Sequence, residues 1–399
     1  MRRTDTLGLY VSVPFCKAKC TFCNFASDAF PPSKMAAYVH RLTADIAASR
    51  AFAAEQTLVV PPVVDSVFLG GGTPSLLEPV QMAAVFAGLR AAYPLSSDCE
   101  ITVEAAPGQI SDALLDVLLR AGVNRVSLGV QSFVDAESQA VGRMHTGTSC
   151  LAELKRLRRA GIANLNVDLI AGLPHQTSAS WQQSLQTAIG AGVEHVSVYM
   201  LEVDDESRLG RELIGPGARY GAHATPTDSL VADLYAHACD ALNAEGLQQY
   251  EISNFARVGL ESRHNRKYWQ RDAYLGFGLD AHSMLRSRWE GRAARFAHGD
   301  ELDPYIAGRE EFTVEHIDAL GEWEESIFLG LRLNEGVSLG GLHEHFPHAW
   351  VHAFERRALD LQQEGLMHVH GDRVYLTQHG RIVSSSVFGE LLAGEPVLT

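Results

Sequence analysis

Short β-branched or aromatic runs alternate with amphipathic stretches through the first two hundred residues, and that alternation favours a fold of parallel β/α units. Strands are predicted at Leu9–Val13, Ser66–Leu69, Glu100–Glu104, Arg125–Val130, Leu165–Ile170 and His195–Met200. Helices lie between them. Met82, Val85, Phe86 and Leu89 keep i, i+3, i+4, i+7 spacing behind Pro79, which suits a first turn. Ser111 is placed to cap a helix through Leu114, Leu115, Leu118 and Leu119 that ends at Gly122. Six such units fit an α/β chain built on a partial (β/α)6 barrel.

The unusual residues fall at the C-terminal ends of these strands, the rim where β/α barrels do chemistry. Cys16 follows the first strand, Gly70-Gly71-Gly72-Thr73-Pro74 the second and Gln131 the fourth, while Glu104 and Asp168 sit on the third and fifth. That placement favours a barrel over an open sheet and locates the site. Three thiolates spaced as Cys16-x3-Cys20-x2-Cys23 can hold three irons of a [4Fe–4S] cluster and leave the fourth without a protein ligand. The alternative is zinc completed by a remote His or Asp, although no second cysteine pair is present. The glycine run has neither the phosphate-loop nor the dinucleotide pattern. Its bare backbone allows close approach of an amine or carboxylate, or simply makes a turn. Glu104, Gln131 and Asp168 interrupt or end apolar strands, so each needs a bound polar ligand or an internal hydrogen-bond network. Arg143 either clamps a carboxylate or is solvated.

Charge narrows the partners. With 33 basic against 48 acidic residues, the net of −15 argues against a general nucleic-acid or anionic-membrane binder. No apolar run is long enough to span a bilayer, and Met1-Arg-Arg-Thr-Asp-Thr lacks a signal-peptide core, so a cytoplasmic chain is expected. Cys99, Cys150 and Cys239 are scattered and read as buried free thiols.

The rhythm changes past residue 205. Gly215–Gly221 reads as a loop, a helix runs from Asp228 to Asn243 and stops at Gly246, and aromatic-rich polar sequence follows through Tyr250–Phe255 and His264–Trp269. His264 beside Tyr268 and Trp269 suits a haem iron and its macrocycle, or is a core histidine. After Thr313, helical patterns precede a hairpin over Met367–Leu376 that turns at Gly371-Asp372, the order of a winged helix. His343, His345, His348, His352, His368 and His370 are irregularly spaced and read as surface histidines rather than a metal site. Three segments are expected: residues 1–225 the barrel, 226–312 its extension and connecting segment, and 313–399 a smaller α+β winged-helix-like domain.

Six motifs in this order, Tyr10-Val-Ser-Val-Pro-Phe-Cys16-x3-Cys20-Thr-Phe-Cys23, Gly70–Pro74, Ser127–Phe133, Asn166–Pro174, Tyr250–Ala256 and Ser262-Arg-His-Asn-x2-Tyr-Trp269, resemble the radical S-adenosylmethionine (SAM) family of the oxygen-independent coproporphyrinogen III oxidases. Within it, the chain is most similar to the haem-chaperone branch. The oxidases carry a further cysteine just beyond the triplet and a longer preceding segment; here Asn24 and Phe25 follow Cys23 and 15 residues precede Cys16. Phe22 and Asn24 stand where many of the branch have Tyr and Asp, and Glu104-Ala-Ala-Pro-Gly108 replaces E-A-N-P-G. The resemblance implies a [4Fe–4S] cluster on Cys16, Cys20 and Cys23, with its open iron chelated by SAM. It implies a SAM pocket of Tyr10, Phe22, Gly71, Gly72, Thr73, Glu104, Gln131, Arg143 and Asp168, and haem contact at His264. The function it implies is a haem chaperone that delivers haem to a respiratory acceptor protein, with peripheral membrane contact through that acceptor and no nucleic-acid partner. The competing readings are a radical enzyme, either a coproporphyrinogen III oxidase or a methyltransferase, and a zinc-stabilised barrel with a nucleic-acid-binding winged domain.

Overall fold

The computed structural model describes residues 5–205, 207–215, 219–288 and 293–392. Residues 216–218 of the loop expected at Gly215–Gly221 lie outside them. Each of the six expected strands falls within an observed one: Thr6–Val13 (β1), Val63–Gly71 (β2), Leu95–Ala105 (β3), Arg125–Gln131 (β4), Asn164–Ala171 (β5) and His195–Met200 (β6). They pair in parallel in sequence order. The helices between them form where the spacing predicts. Pro79–Ala92 buries Met82, Val85, Phe86 and Leu89. Ser111 Oγ accepts the Leu114 N–H at 3.1 Å, and the chain leaves that helix through Gly122 at φ +81°.

Period-two alternation gives each strand two different faces. On β1, Leu7, Leu9, Val11 and Val13 are fully buried in the main apolar core, while Gly8, Tyr10 and Ser12 turn to the concave side. The same phase places Ser66 and Phe68 of β2, Thr102 and Glu104 of β3, Ser127 of β4, and Asn166 and Asp168 of β5 inside the barrel. That interior is polar and hydrogen-bonded. Asn166 Nδ2 donates to Asp168 Oδ1 at 2.7 Å, Ser127 Oγ donates to Asp168 Oδ2 at 3.1 Å, and His195 Nδ1 meets Asn166 Oδ1 at 2.6 Å.

The sheet extends beyond six units. Tyr274–Phe277 (β7) lies parallel on the free side of β1, with Gly8 opposite Tyr274 and Val11 opposite Phe277. His282–Ser287, Ala293–His298 and Phe312–Ile317 continue antiparallel from it, and Asn254–Ala256 pairs antiparallel with β6 at the other edge.

The helix Arg263–Gln270 closes the end of the barrel opposite the rim. Ser262 caps it by accepting the Asn265 N–H, and the Glu100 carboxylate accepts the N–H groups of Arg263 and His264 at 3.2 Å each. A carboxylate suits that end, where the helix dipole is positive.

The C-terminal order is helix Ala319–Gly330, strand Val337–Ser338, helices Leu339–His345 and His348–Gln363, then the hairpin Met367–His370 and Arg373–Leu376, as in a winged helix. Gly371 turns the hairpin at φ +59°. A second apolar cluster gathers Trp323, Val351, Phe354, Leu361, Met367 and Val374 and takes in Ile252. Among the described residues, no helix is long and apolar enough to cross a membrane.

Candidate functional site

The cysteine loop leaves β1 and is tied at its neck. Cys16 N–H donates to Asp28 O at 2.9 Å and Asp28 N–H donates to Pro14 O at 3.0 Å. Its start is fixed to the glycine turn after β2, since Gly72 and Thr73 donate their N–H groups to Val13 O and Phe15 O at 2.9 and 2.8 Å. Its middle is held from the far side by Leu209 N–H, which donates to Thr21 O at 2.8 Å.

One cavity of about 350 Å³ opens at this rim. It is lined by Cys16, Cys20, Cys23, Phe22, Gly71, Gly72, Thr73, Glu104, Gln131, Arg143 and Asp168. Residues far apart in sequence therefore share one wall because five strand ends meet there. Gln131 reaches the cavity through a bulge. The register slips between Gly129 and Gln131, and Gln131 takes φ +68°, a conformation rare outside glycine.

Tyr10 and His264 lie elsewhere. Tyr10 sits beneath the cavity, its ring stacked 6.2 Å from Phe68 and 6.3 Å from His264. His264 is 1% exposed, with Nδ1 3.1 Å from Ser66 Oγ and Nε2 2.9 Å from Tyr268 Oη. Burial, then the Lys267 ammonium, lower its pKa to about 3. Both ring nitrogens are engaged inside the barrel floor, so in this arrangement neither faces an iron.

Four residues past the sixth strand's midpoint complete the cavity: Tyr199, Met200, Leu201 and Glu202. Sequence reasoning stopped at the fifth strand end, and the same rim rule applied to His195–Met200 finds them. Phe25, 63% exposed, and Tyr199, 43% exposed, stand at the mouth.

The donor set discriminates between metals. Zn–S bonds of 2.3 Å place tetrahedral sulfurs about 3.8 Å apart. Among the described residues, only Asp45, His298 and Glu310 bring three ligand atoms within 4.8 Å of one another. The three sulfurs line one cavity but do not all lie within that distance of one another, a spread that a larger cluster spans more readily than one zinc ion. Burial pushes the Cys16 and Cys20 thiols up, and the Arg143 cation opposes this at Cys20. Buried thiolates thus need a bound cation to be favourable.

The rest of the wall suits a zwitterion. Arg143 Nε is buried with no hydrogen-bond partner among the described residues, an orphaned donor suited to a carboxylate. Glu104 faces it from β3 and Asp168 from β5. Ala106 lines the wall without a side-chain donor. The glycines also have a packing reason. A Cβ on Gly72 would meet Val13 O at 2.7 Å, and one on Gly71, at φ +96°, would meet Ser12 Oγ at 2.7 Å.

Burial, then the Asp168 carboxylate, push Glu104 from its ordinary 4.5 up to about 8, against the Gly71 amide and Arg143. Between those values the folded chain holds a proton that the unfolded chain has released. The stabilisation from the protonated form is complete below about pH 4.5 and lost as pH rises through about 8. Glu104→Gln keeps the neutral shape, so in the cluster-free chain it is expected to flatten the fall in stability between about pH 5 and 8. Denaturant titration at each pH reads this, and an unchanged slope would contradict it.

Comparison with known proteins gives the same outline. The family model "Radical SAM superfamily" matches residues 10–188, and "HemN C-terminal domain" matches 317–383. The heme chaperone HemW of Bacillus subtilis is 33% identical over 389 residues, covering 96% of this chain and 98% of that one. The chain belongs to the HemW branch of the radical SAM superfamily. The mitochondrial radical S-adenosyl methionine domain-containing protein 1 of Bos taurus is 33% identical over 97% of this chain and 87% of its own. The coproporphyrinogen III oxidase HemN of Escherichia coli, a radical SAM enzyme, superposes with TM-score 0.81 at 22% identity, over 98% of this chain and 92% of that one, a likeness of fold. The radical SAM match contains every residue of the cavity set from Phe22 to Asp168 and the three cysteines. His264 lies outside both matched segments.

Proposed function

We propose that this HemW-branch chain is a haem chaperone. It carries a [4Fe–4S] cluster on Cys16, Cys20 and Cys23, binds SAM beside it, and takes haem for delivery to a respiratory acceptor protein. When bound, the cluster supplies an iron that the amino and carboxylate groups of SAM chelate. The orphaned Arg143 donor holds a carboxylate, Glu104 and Asp168 face the ligand's positive charge, and Gly71 and Gly72 leave the backbone open to it. Phe22 covers the apolar side.

The observation that carries the chaperone reading is the pair after the triplet. Asn24 and Phe25 stand where the oxidases place a further cysteine, and Phe25 is exposed at the cavity mouth beside Tyr199. A flat apolar macrocycle packs well against aromatic faces. Incubating the reconstituted chain anaerobically with dithionite, SAM and coproporphyrinogen III is expected to give no decarboxylated porphyrinogen. Conversion would replace this reading with that of a radical oxidase.

Haem capture in this account does not use His264, whose role is to position the barrel floor under Tyr10. His264→Ala leaves Ser66 and Tyr268 without a partner, so it is expected to cost about 1–3 kcal/mol in stability while leaving haem affinity unchanged. Loss of haem binding by a variant that stays folded would assign the iron to His264.

A further inference from the structure

A second cavity, of about 230 Å³, adjoins the first. Ala18, Cys20, Thr73, Ala106 and Arg143 line both, while Lys17 and Gln109 line only the smaller one. The cysteine loop supplies Lys17, the turn after β3 supplies Gln109, and the segment between the helices Asp135–Ala140 and Gly147–Arg159 supplies Arg143. The two cavities differ in charge. Glu104, Asp168 and Glu202 line the larger one, whereas among the described residues no aspartate or glutamate lines the smaller, in a chain of net charge −15. Its positive groups are Lys17, which is exposed, and Arg143, which is half-buried. His145 is engaged elsewhere, with Nε2 2.9 Å from Val130 O. Two buried atoms of this lining have no hydrogen-bond partner among the described residues, the donor Arg143 Nε and the acceptor Gln109 Oε1. Buried polar groups are normally paired, so a donor and an acceptor left over in one small cavity mark a ligand-binding surface. With a water occupying about 30 Å³, the cavity has room for a small ion and a few waters. It falls below the roughly 300–1,000 Å³ of pockets that take drug-sized ligands.

We propose that this side pocket binds hydrogen phosphate, as the free ion or as the phosphate group of a larger molecule. The chemistry it selects is an oxyanion that also carries a hydrogen-bond donor. The charged oxygens face the Lys17 ammonium and the Arg143 guanidinium, which hold phosphate as a point charge and as a planar fork. The P–OH donates to Gln109 Oε1. Sulfate has the same shape but no proton to donate near neutral pH, and an ionised carboxylate has none either. A metal cation finds two like charges there and no carboxylate. The pocket opens to solvent at Lys17, Gly108 and Met144, all exposed, which leaves room for the rest of a phosphate ester. Arg143 stands in the wall shared by both cavities, so phosphate draws on the guanidinium proposed above to hold the SAM carboxylate. Each ligand then weakens the other by the same factor. That coupling rests on the SAM reading; phosphate binding does not.

Calorimetric titration of inorganic phosphate, and in parallel of sulfate, into the cluster-loaded chain in chloride buffer near neutral pH tests the proposal. One phosphate per chain is expected, bound about tenfold more tightly than sulfate, the discrimination that one hydrogen bond supplies. Lys17→Ala should weaken phosphate about tenfold, and Gln109→Leu should erase the preference over sulfate. Glycerol phosphate at about pH 6, where a phosphate ester keeps its second proton on about half the molecules, identifies the source. Competition with inorganic phosphate marks the phosphate group of a larger molecule as an occupant, and no competition marks the free ion. No saturable phosphate binding to the folded chain, or equal binding of phosphate and sulfate that neither substitution changes, would overturn the proposal. SAM should lower phosphate affinity several-fold. If phosphate binds as expected and SAM leaves it unchanged, the side pocket stands and Arg143 leaves the SAM wall. Lys17 is exposed and Gln109 partly so, and circular dichroism checks that each variant is folded.

Discussion

Replacing Cys20 with alanine is expected to reduce iron from about four per chain, the content of one cubane cluster, to less than about one, with loss of the brown colour. Cys20 is the middle cysteine of the triplet, and the Arg143 cation opposes the rise that burial gives its thiol. Two remaining thiolates hold a cubane at two corners, which leaves half its irons to solvent. The chain itself should stay folded. The bonds that tie the loop, from Cys16 to Asp28, Gly72 to Val13 and Thr73 to Phe15, use backbone atoms and not the Cys20 sulfur. The stability change of the metal-free chain is therefore expected within about 0.5 kcal/mol. Iron analysis after anaerobic reconstitution measures the first quantity and thermal unfolding the second. Wild-type iron in the variant would remove Cys20 from the ligand set.

Gly72→Ala is expected to damage the same site from the opposite side. An added Cβ would lie 2.7 Å from Val13 O and 2.9 Å from both Phe15 O and Pro14 C. All three are backbone atoms, so no side-chain rotation relieves the contact. The strand that launches the cysteine loop must move, breaking the bonds that Gly72 and Thr73 donate to it. Overpacking of this kind costs about 1–3 kcal/mol, and the displaced Cys16 should lower iron loading by more than about half, since one of three corners loses its position. A Gly88→Ala control meets its nearest atom only at 3.5 Å and is expected to be near neutral. If Gly72→Ala kept both stability and iron, the glycine turn would not be what sets the loop.

Where the sequence predicts well, a local rule acts alone. The six strands were legible because each is a short β-branched or aromatic run between amphipathic stretches, and the helix over Pro79–Ala92 because its four apolar positions share one face. The site was legible because barrel rims collect polar residues, which is why Glu104, Gln131 and Asp168 were found without any contact being known. The seventh strand was not. Tyr274–Phe277 is four residues with Gly276 inside, and its pairing with β1 bridges more than 260 positions of chain. Gly276 is there for another reason, since a Cβ would run into His282 O. His264 beside Tyr268 and Trp269 reads equally well as a ligand or as a core residue. Only the bonds to Ser66 and Tyr268, one from a strand nearly two hundred residues away, separate the two.

Haem titration of the anaerobically reconstituted protein tests the proposed haem-chaperone role most directly. The expected result is a shifted Soret band that saturates near one haem per chain, weakened by Phe25→Asp at the cavity mouth and retained in His264→Ala. A cluster-loaded, folded protein that showed no shift and no co-purifying haem would contradict it.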